Sequence, residues 1–164
     1  MIVVSDTSPI TNLAAIGQLY LLEALYTQII IPVAVYDEMV NVGKSVPGTV
    51  EVKTLSWIQA KALTERQRVI TIQESEENID LGEAEAITLA LELKADLLLM
   101  DERRGRIVAT SYGLQVTGLL GVLVQAKQNN LIEAVQPLID QLIEEADFRV
   151  SNELYTTILK IAGE

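Results

Sequence analysis

Along the chain, apolar runs that show no polar alternation take turns with stretches whose apolar positions recur at helical spacing. "IVV" at Ile2 to Val4, "III" at Ile29 to Ile31, "LLLM" at Leu97 to Met100 and the short stretch Leu114 to Thr117 read as strands. Between them, Ile10 to Tyr26 reads as one or two helices interrupted at Gly17, and Pro32 to Val42 as a helix with proline at its first position. Leu81 to Leu93 reads as a long helix, followed by helices over Glu102 to Tyr112 and Gly118 to Gln128. Strands that are apolar on both faces need cover on both faces. The pattern therefore predicts an α/β protein, a three-layer α/β/α sandwich with a central, mostly parallel sheet and right-handed crossovers.

Other stretches are less regular. Gly43 to Gly48 reads as a loop, Glu51 to Ala62 as helix, strand or both, and the charge-rich Thr64 to Asn78 as an exposed helix or mobile arm. The tail has two amphipathic pieces, Pro137 to Ala146 and a helix capped by Ser151. The apolar face of that last helix, Leu154, Tyr155, Ile158 and Leu159, is expected to pack against the sheet. At 164 residues the expectation is one domain spanning 1–164, with a helical tail over about 131–164.

Composition narrows the chemistry. Hydrophobic residues make up 49%, yet no run approaches the ~18 apolar residues of a membrane span, so no membrane role is expected. The first charge is the negative Asp6, unlike a secretory signal, and the expected compartment is the cytoplasm. There is no cysteine and no histidine, which removes thiolate chemistry, disulfides, the commonest general base and the commonest metal ligand. Catalysis must then rest on carboxylates, hydroxyls, amines or oxygen-bound metals. A net charge of −11 argues against bulk electrostatic binding of nucleic acid, but not against a nuclease that gathers acids around cations.

Ligands of open α/β sheets bind outside the carboxyl ends of the strands. Asp6 ends the first strand and Asp101 ends "LLLM", so parallel strands bring both to one edge. Taken singly, each also reads as a local cap: Asp101 for the helix from Glu102, Asp6 for the turn before Pro9. On a wheel of "LGEAEAITLALEL", Glu83 falls within the apolar arc while Glu85 falls opposite with Thr88 and Glu92, as an ordinary solvated acid. A glutamate on a buried face needs a cation or a donor. In "PVAVYDEMV", Asp37 groups with Asn41 on the polar side and Glu38 sits at the apolar border, so Glu38 is the fourth candidate, with surface acid as the competing reading. Unit charges ~4 Å apart repel by about 4 kcal/mol at an effective dielectric of 20. Four such acids in one crevice must protonate in part or share a divalent cation, and an all-oxygen set suits magnesium or manganese (Mg2+ or Mn2+).

The stretches "VVSDTSPI", "IPVAVYDEM", "IDLGEAEAITLALEL", "ADLLLMDERRGR", "VTGLLGVLVQAK" and the closing "DFRVSNELYTTILKIAGE" resemble, in the same order, one branch of the PIN domain ribonucleases, a family that includes toxins of bacterial toxin–antitoxin pairs. The resemblance implies a metal-dependent endoribonuclease acting on RNA, with its acids carried onto Asp6, Glu38, Glu83 and Asp101. It implies a supporting hydroxyl at Thr7, and phosphate-holding arginines among Arg103, Arg104 and Arg106, which also read as exposed helix positions. It further implies an antitoxin protein as a partner, and a homodimer for which the apolar helices around Leu13 to Leu25 are candidate faces. Two rival readings stand beside it. One is a catalytically silent binding module of the same fold. The other is a phosphatase with Asp6 as nucleophile, which calls for a second aspartate where this chain has Ser8.

Overall fold

The computed structural model describes residues 1–41, 43, 45–75 and 78–164. Val42, expected within a helix, and Lys44, Glu76 and Glu77, expected in the loop and the charged stretch, lie outside the described residues. Among the described residues there are five strands, four at the stretches read as strands and β3 in the ambiguous stretch: β1 (Val3–Ser5), β2 (Ile29–Pro32), β3 (Ile58–Lys61), β4 (Leu97–Leu99) and β5 (Val116–Thr117). They pair in the order β3-β2-β1-β4-β5 and every pairing is parallel, with Val4 opposite Ile30 and Ser5 opposite Leu99. Among the described residues ten helices connect and cover them: α1 (Thr7–Ala15), α2 (Tyr20–Tyr26), α3 (Val33–Val40), α4 (Thr49–Thr54), α5 (Arg66–Ser75), α6 (Leu81–Glu92), α7 (Arg103–Ser111), α8 (Leu119–Gln128), α9 (Gln136–Glu145) and α10 (Asn152–Ile161). The chain is an α/β/α sandwich, as its periodicity predicts.

The strands divide their side chains between two cores because successive residues point to opposite faces. Val3, Ile29, Ile31 and Leu99 join a cluster with Leu13, Leu21, Leu22, Met39 and Leu123, whereas Val4, Leu98 and Met100 join Val69, Ile72, Ile87 and Val108. Leu13, Leu21 and Leu22 are fully buried in the first of these, whereas Tyr20 of the same stretch is exposed.

Several boundaries move for local reasons. The first helix begins at Thr7, with Pro9 in its first turn, and α1 ends where Gly17 adopts φ +70. There Gln18 N–H donates to Leu13 O at 2.8 Å and Gly17 N–H to Ala14 O at 3.1 Å, the paired bonds of a glycine-terminated helix. Pro32 closes β2 rather than opening the helix, which starts at Val33. The ambiguous stretch after Gly48 is both helix and strand, α4 and then β3. The charge-rich stretch is helical from Arg66 to Ser75 and tethered by buried Val69 and Ile72. Ser151 caps α10, accepting from Leu154 N–H at 3.1 Å. That helix lies against α8, with Tyr155, Ile158 and Leu159 partly buried and Leu154 exposed. Among the described residues no helix is long and apolar enough to cross a membrane.

Candidate functional site

Chain order reverses between β1 and β4: β2 and β3 lie on one side and β5 on the other. Connections leaving neighbouring strands in opposite directions open a crevice beyond their carboxyl ends. Asp6 directly follows β1 and Asp101 stands two residues past β4, while Glu38 comes from α3 and Glu83 from the first turn of α6. All four line one cleft of about 790 Å³.

Asp6 occupies the N-cap position of α1, yet its side chain makes no capping hydrogen bond. Counting from that cap, the third helical position is Pro9, which has no N–H to offer, so the usual bond from that position is missing. The residue is 7% exposed. Burial pushes its carboxyl from 3.8 up to about 7; the Thr7 amide opposes this, and the charges of Glu83, Asp80 and Glu38 add to it.

Thr7 Oγ1 donates to Glu38 Oε2 at 2.5 Å. Glu38 is exposed by surface area, but desolvation raises its pKa; the Thr7 hydroxyl lowers it, and Asp80 and Glu85 raise it further. Its other oxygen lies over Gly82: a Cβ built on that glycine would meet Glu38 Oε1 at 2.5 Å. Glycine there leaves the space that the carboxylate fills.

Glu83 is 5% exposed and belongs to a reciprocal cap with Asp80. Glu83 N–H donates to Asp80 Oδ1 at 2.7 Å, and Asp80 N–H donates to Glu83 Oε2 at 3.1 Å. Its carboxyl is pushed to about 7 by burial, against the Asp80 amide and with repulsion from Asp80, Glu102 and Glu38.

Asp101 does not cap the helix that follows it. That helix starts at Arg103 with Glu102 in the cap position, and Asp101 reaches across the sheet instead. Its Oδ1 accepts from Leu119 N–H, the first residue of α8, at 2.6 Å, and its Oδ2 accepts from Ser8 Oγ at 3.2 Å. Burial raises its pKa against these two bonds and the attraction of Arg106. The cleft thus has two acidic groupings: Asp6, Glu38 and Glu83 with Asp80, and Asp101 with Glu102 beside Arg106.

Glu85 corrects the helical wheel. It is 5% exposed, not solvated, and so is Thr88 buried, because α6 is covered on all sides from Gly82 to Ala90. Its carboxylate accepts from Ala34 N–H at 3.1 Å, at the start of α3, and pairs with Arg66 of α5 at 2.7 Å. A wheel assumes one covered face, and this helix has no open one. Of the three arginines in "DERRGR", Arg106 lines the cleft, whereas Arg103 and Arg104 are exposed on α7 away from its lining. Gly105 is packing: a Cβ there would meet Met100 Sδ at 2.5 Å.

Sequence reasoning passed over Ser8, Asp80, Glu102, Phe148 and Arg149, all of which line the cleft. Asp80 had a readable signal, an aspartate three residues before Glu83 at a helix start. Phe148 and Arg149 had none, since they arrive from the α9–α10 connection by tertiary packing.

The donor chemistry fits a hard divalent cation. Every candidate ligand is an oxygen, and burial together with mutual repulsion holds Asp6, Glu38 and Glu83 above the ordinary carboxylate range, a penalty that a bound cation relieves. Among the described residues no three acids already stand as a closed ligand group; the hydrogen bonds of Asp101 and of the Asp80–Glu83 cap hold those carboxylates on protein partners. Comparison with known proteins adds one finding: the family model DUF3368, described as a PIN domain, matches residues 2–164. No curated protein matches the chain.

Proposed function

Because the chain belongs to the PIN domain family, a fold of the nuclease type, we propose that it is a divalent-metal-dependent endoribonuclease that hydrolyses RNA phosphodiesters. The observation that carries this reading is the delivery of Asp6, Glu38, Glu83 and Asp101 from four separate segments into one cleft at the reversal point of the sheet. Asp6, Glu38 and Glu83 would hold magnesium or manganese, with Asp101 completing the set from the neighbouring strand β4. When bound, such a cation supplies positive charge to the scissile phosphate and an activated water.

The chain's own residues do the rest. Thr7 orients Glu38 through its hydroxyl hydrogen bond, which favours the ionised form against desolvation. Ser8 and the amide of Leu119 fix Asp101. Arg106 stands beside Asp101, placed to offset the repulsion between carboxylates and a phosphate. Glu85 neutralises Arg66 outside the cleft and anchors the helix that carries Glu38.

The test is cleavage of single-stranded RNA with added manganese. Wild type is expected to cut and to stop in excess chelator, and Asp6→Asn and Glu83→Gln are expected to abolish cutting while keeping a folded circular dichroism spectrum. Undiminished cutting by both variants, or in chelator, sinks the proposal.

A further inference from the structure

The cleft has a second wall that the acids do not explain. Beyond the strand ends it is closed by the α9–α10 connection and the start of α10, which contribute Phe148, Arg149, Leu154 and Ile158. Two guanidiniums, Arg106 and Arg149, and one aromatic ring, Phe148, the only phenylalanine of the chain, therefore share a cleft with the carboxylates.

The placement is built, not incidental. Asp147 takes φ +52, and Phe148 N–H donates back to Leu142 O at 3.2 Å, so the chain turns sharply out of α9 just before the two residues. Phe148 is half-buried against the main core and also lines the cleft. Arg149 is exposed, and no ion pair joins it to an acid among the described residues. An unpaired guanidinium beside an acidic cleft finds its natural counter-charge in a bound phosphate. A ring next to it offers a face to a base, the combination by which proteins bind single-stranded nucleic acid.

We infer that the α9–α10 connection is the substrate-binding wall of the cleft: Arg149 holds a backbone phosphate of single-stranded RNA next to the one at the acids, and Phe148 stacks on a neighbouring base. The inference rests on the nuclease reading for the identity of the ligand, but it concerns binding, not cleavage. It makes Phe148 and Arg149 determinants of affinity for single strands. A duplex, whose bases are already stacked on one another, has no face to give the ring.

The experiment measures anisotropy of a short labelled oligoadenylate RNA, with calcium in place of magnesium, over a salt series, on wild type, Arg149→Ala, Arg149→Lys and Phe148→Leu. Arg149→Ala should weaken binding about tenfold and flatten the slope of log affinity against log salt by about 0.7, the share of one phosphate contact on a single strand. Arg149→Lys should restore the slope. Phe148→Leu should weaken binding about tenfold for the intact oligonucleotide and much less for its abasic counterpart, a difference that a purely structural defect would not produce. An unchanged salt slope in Arg149→Ala, equal losses on intact and abasic RNA in Phe148→Leu, or no binding by wild type overturns the inference. The two readings separate cleanly. Wild type that binds as described but never cuts with manganese retains this wall and refutes the nuclease; wild type that cuts while Arg149→Ala binds unchanged does the reverse.

Discussion

Asp6→Asn should make the metal-free protein more stable while destroying its activity. In the folded chain the Asp6 carboxyl is 7% exposed and titrates at about 7 instead of 3.8, because burial, aided by Glu83, Asp80 and Glu38, disfavours its charge. Between those two pH values the folded state keeps a proton that the unfolded chain has released. Stability of the wild type therefore falls as pH rises through that window and levels off above it. At ~1.4 kcal/mol per pKa step, the rise sets an upper bound of ~4 kcal/mol above neutral pH. Asparagine removes the charge but brings an amide that must itself be satisfied, so about half of that bound, ~2 kcal/mol, is the expected gain. For a chain of 164 residues this is ~4–8 °C in melting temperature.

The assay is thermal unfolding by circular dichroism in chelator from pH 4 to pH 8 on both proteins. The variant should be the less stable protein at the acid end, where Asp6 is protonated in both states and only the cost of the amide remains, then overtake wild type as pH rises and reach its full advantage near neutrality. Added manganese should reverse the order by stabilising wild type more than the variant. An advantage that is negative at pH 8, or that stays flat across the series, would refute the claim that Asp6 is held against its preferred ionisation.

Three further outcomes follow from particular contacts. Gly82→Ala would ordinarily gain ~1 kcal/mol in a helix, but its Cβ would meet Glu38 Oε1 at 2.5 Å; the expected result is a folded protein with several-fold weaker manganese binding by calorimetry. Thr7→Val removes the hydroxyl that lowers the Glu38 pKa, so the acid limb of the pH–rate profile should move to higher pH, and a limb that stays put argues against Glu38 as an ionised participant. Glu85→Ala leaves the Ala34 N–H and Arg66 without their partner, and a loss of ~1–3 kcal/mol should appear in denaturant unfolding. Arg66 is half open to water, so Arg66→Ala should lose less than Glu85→Ala does.

The site was legible to different depths. Asp6 and Asp101 could be placed at one edge because strand ends in a parallel sheet share a side. Glu83 could be placed because its face of the helix is apolar. Glu85 was misread for the same reason that Glu83 was found: the wheel supposes a single covered face, and α6 is covered on every face, so polarity of neighbours along the helix says nothing about exposure there. The competing reading of Asp101, a cap for its own helix, looks to the nearest unsatisfied amides in sequence; the amide it serves belongs to Leu119, eighteen positions away in chain order and adjacent only after β5 has paired with β4.

What the sequence by itself determined is the layering: unbroken apolar strands such as "IVV" and "LLLM" must be covered twice, and the helical repeats between them supply the cover, so the α/β/α order follows from local periodicity. Tertiary structure alone decided the partners: Thr7 with Glu38, Glu85 with Arg66 and Ala34, Gly82 under a carboxylate, Phe148 and Arg149 on the far wall of the cleft. The physical reason is range. Burial is a property that each segment announces through its own spacing, whereas a hydrogen bond or an ion pair needs two groups within about 3 Å of each other, and only the strand order and the packing of helices on the sheet set which distant groups come that close.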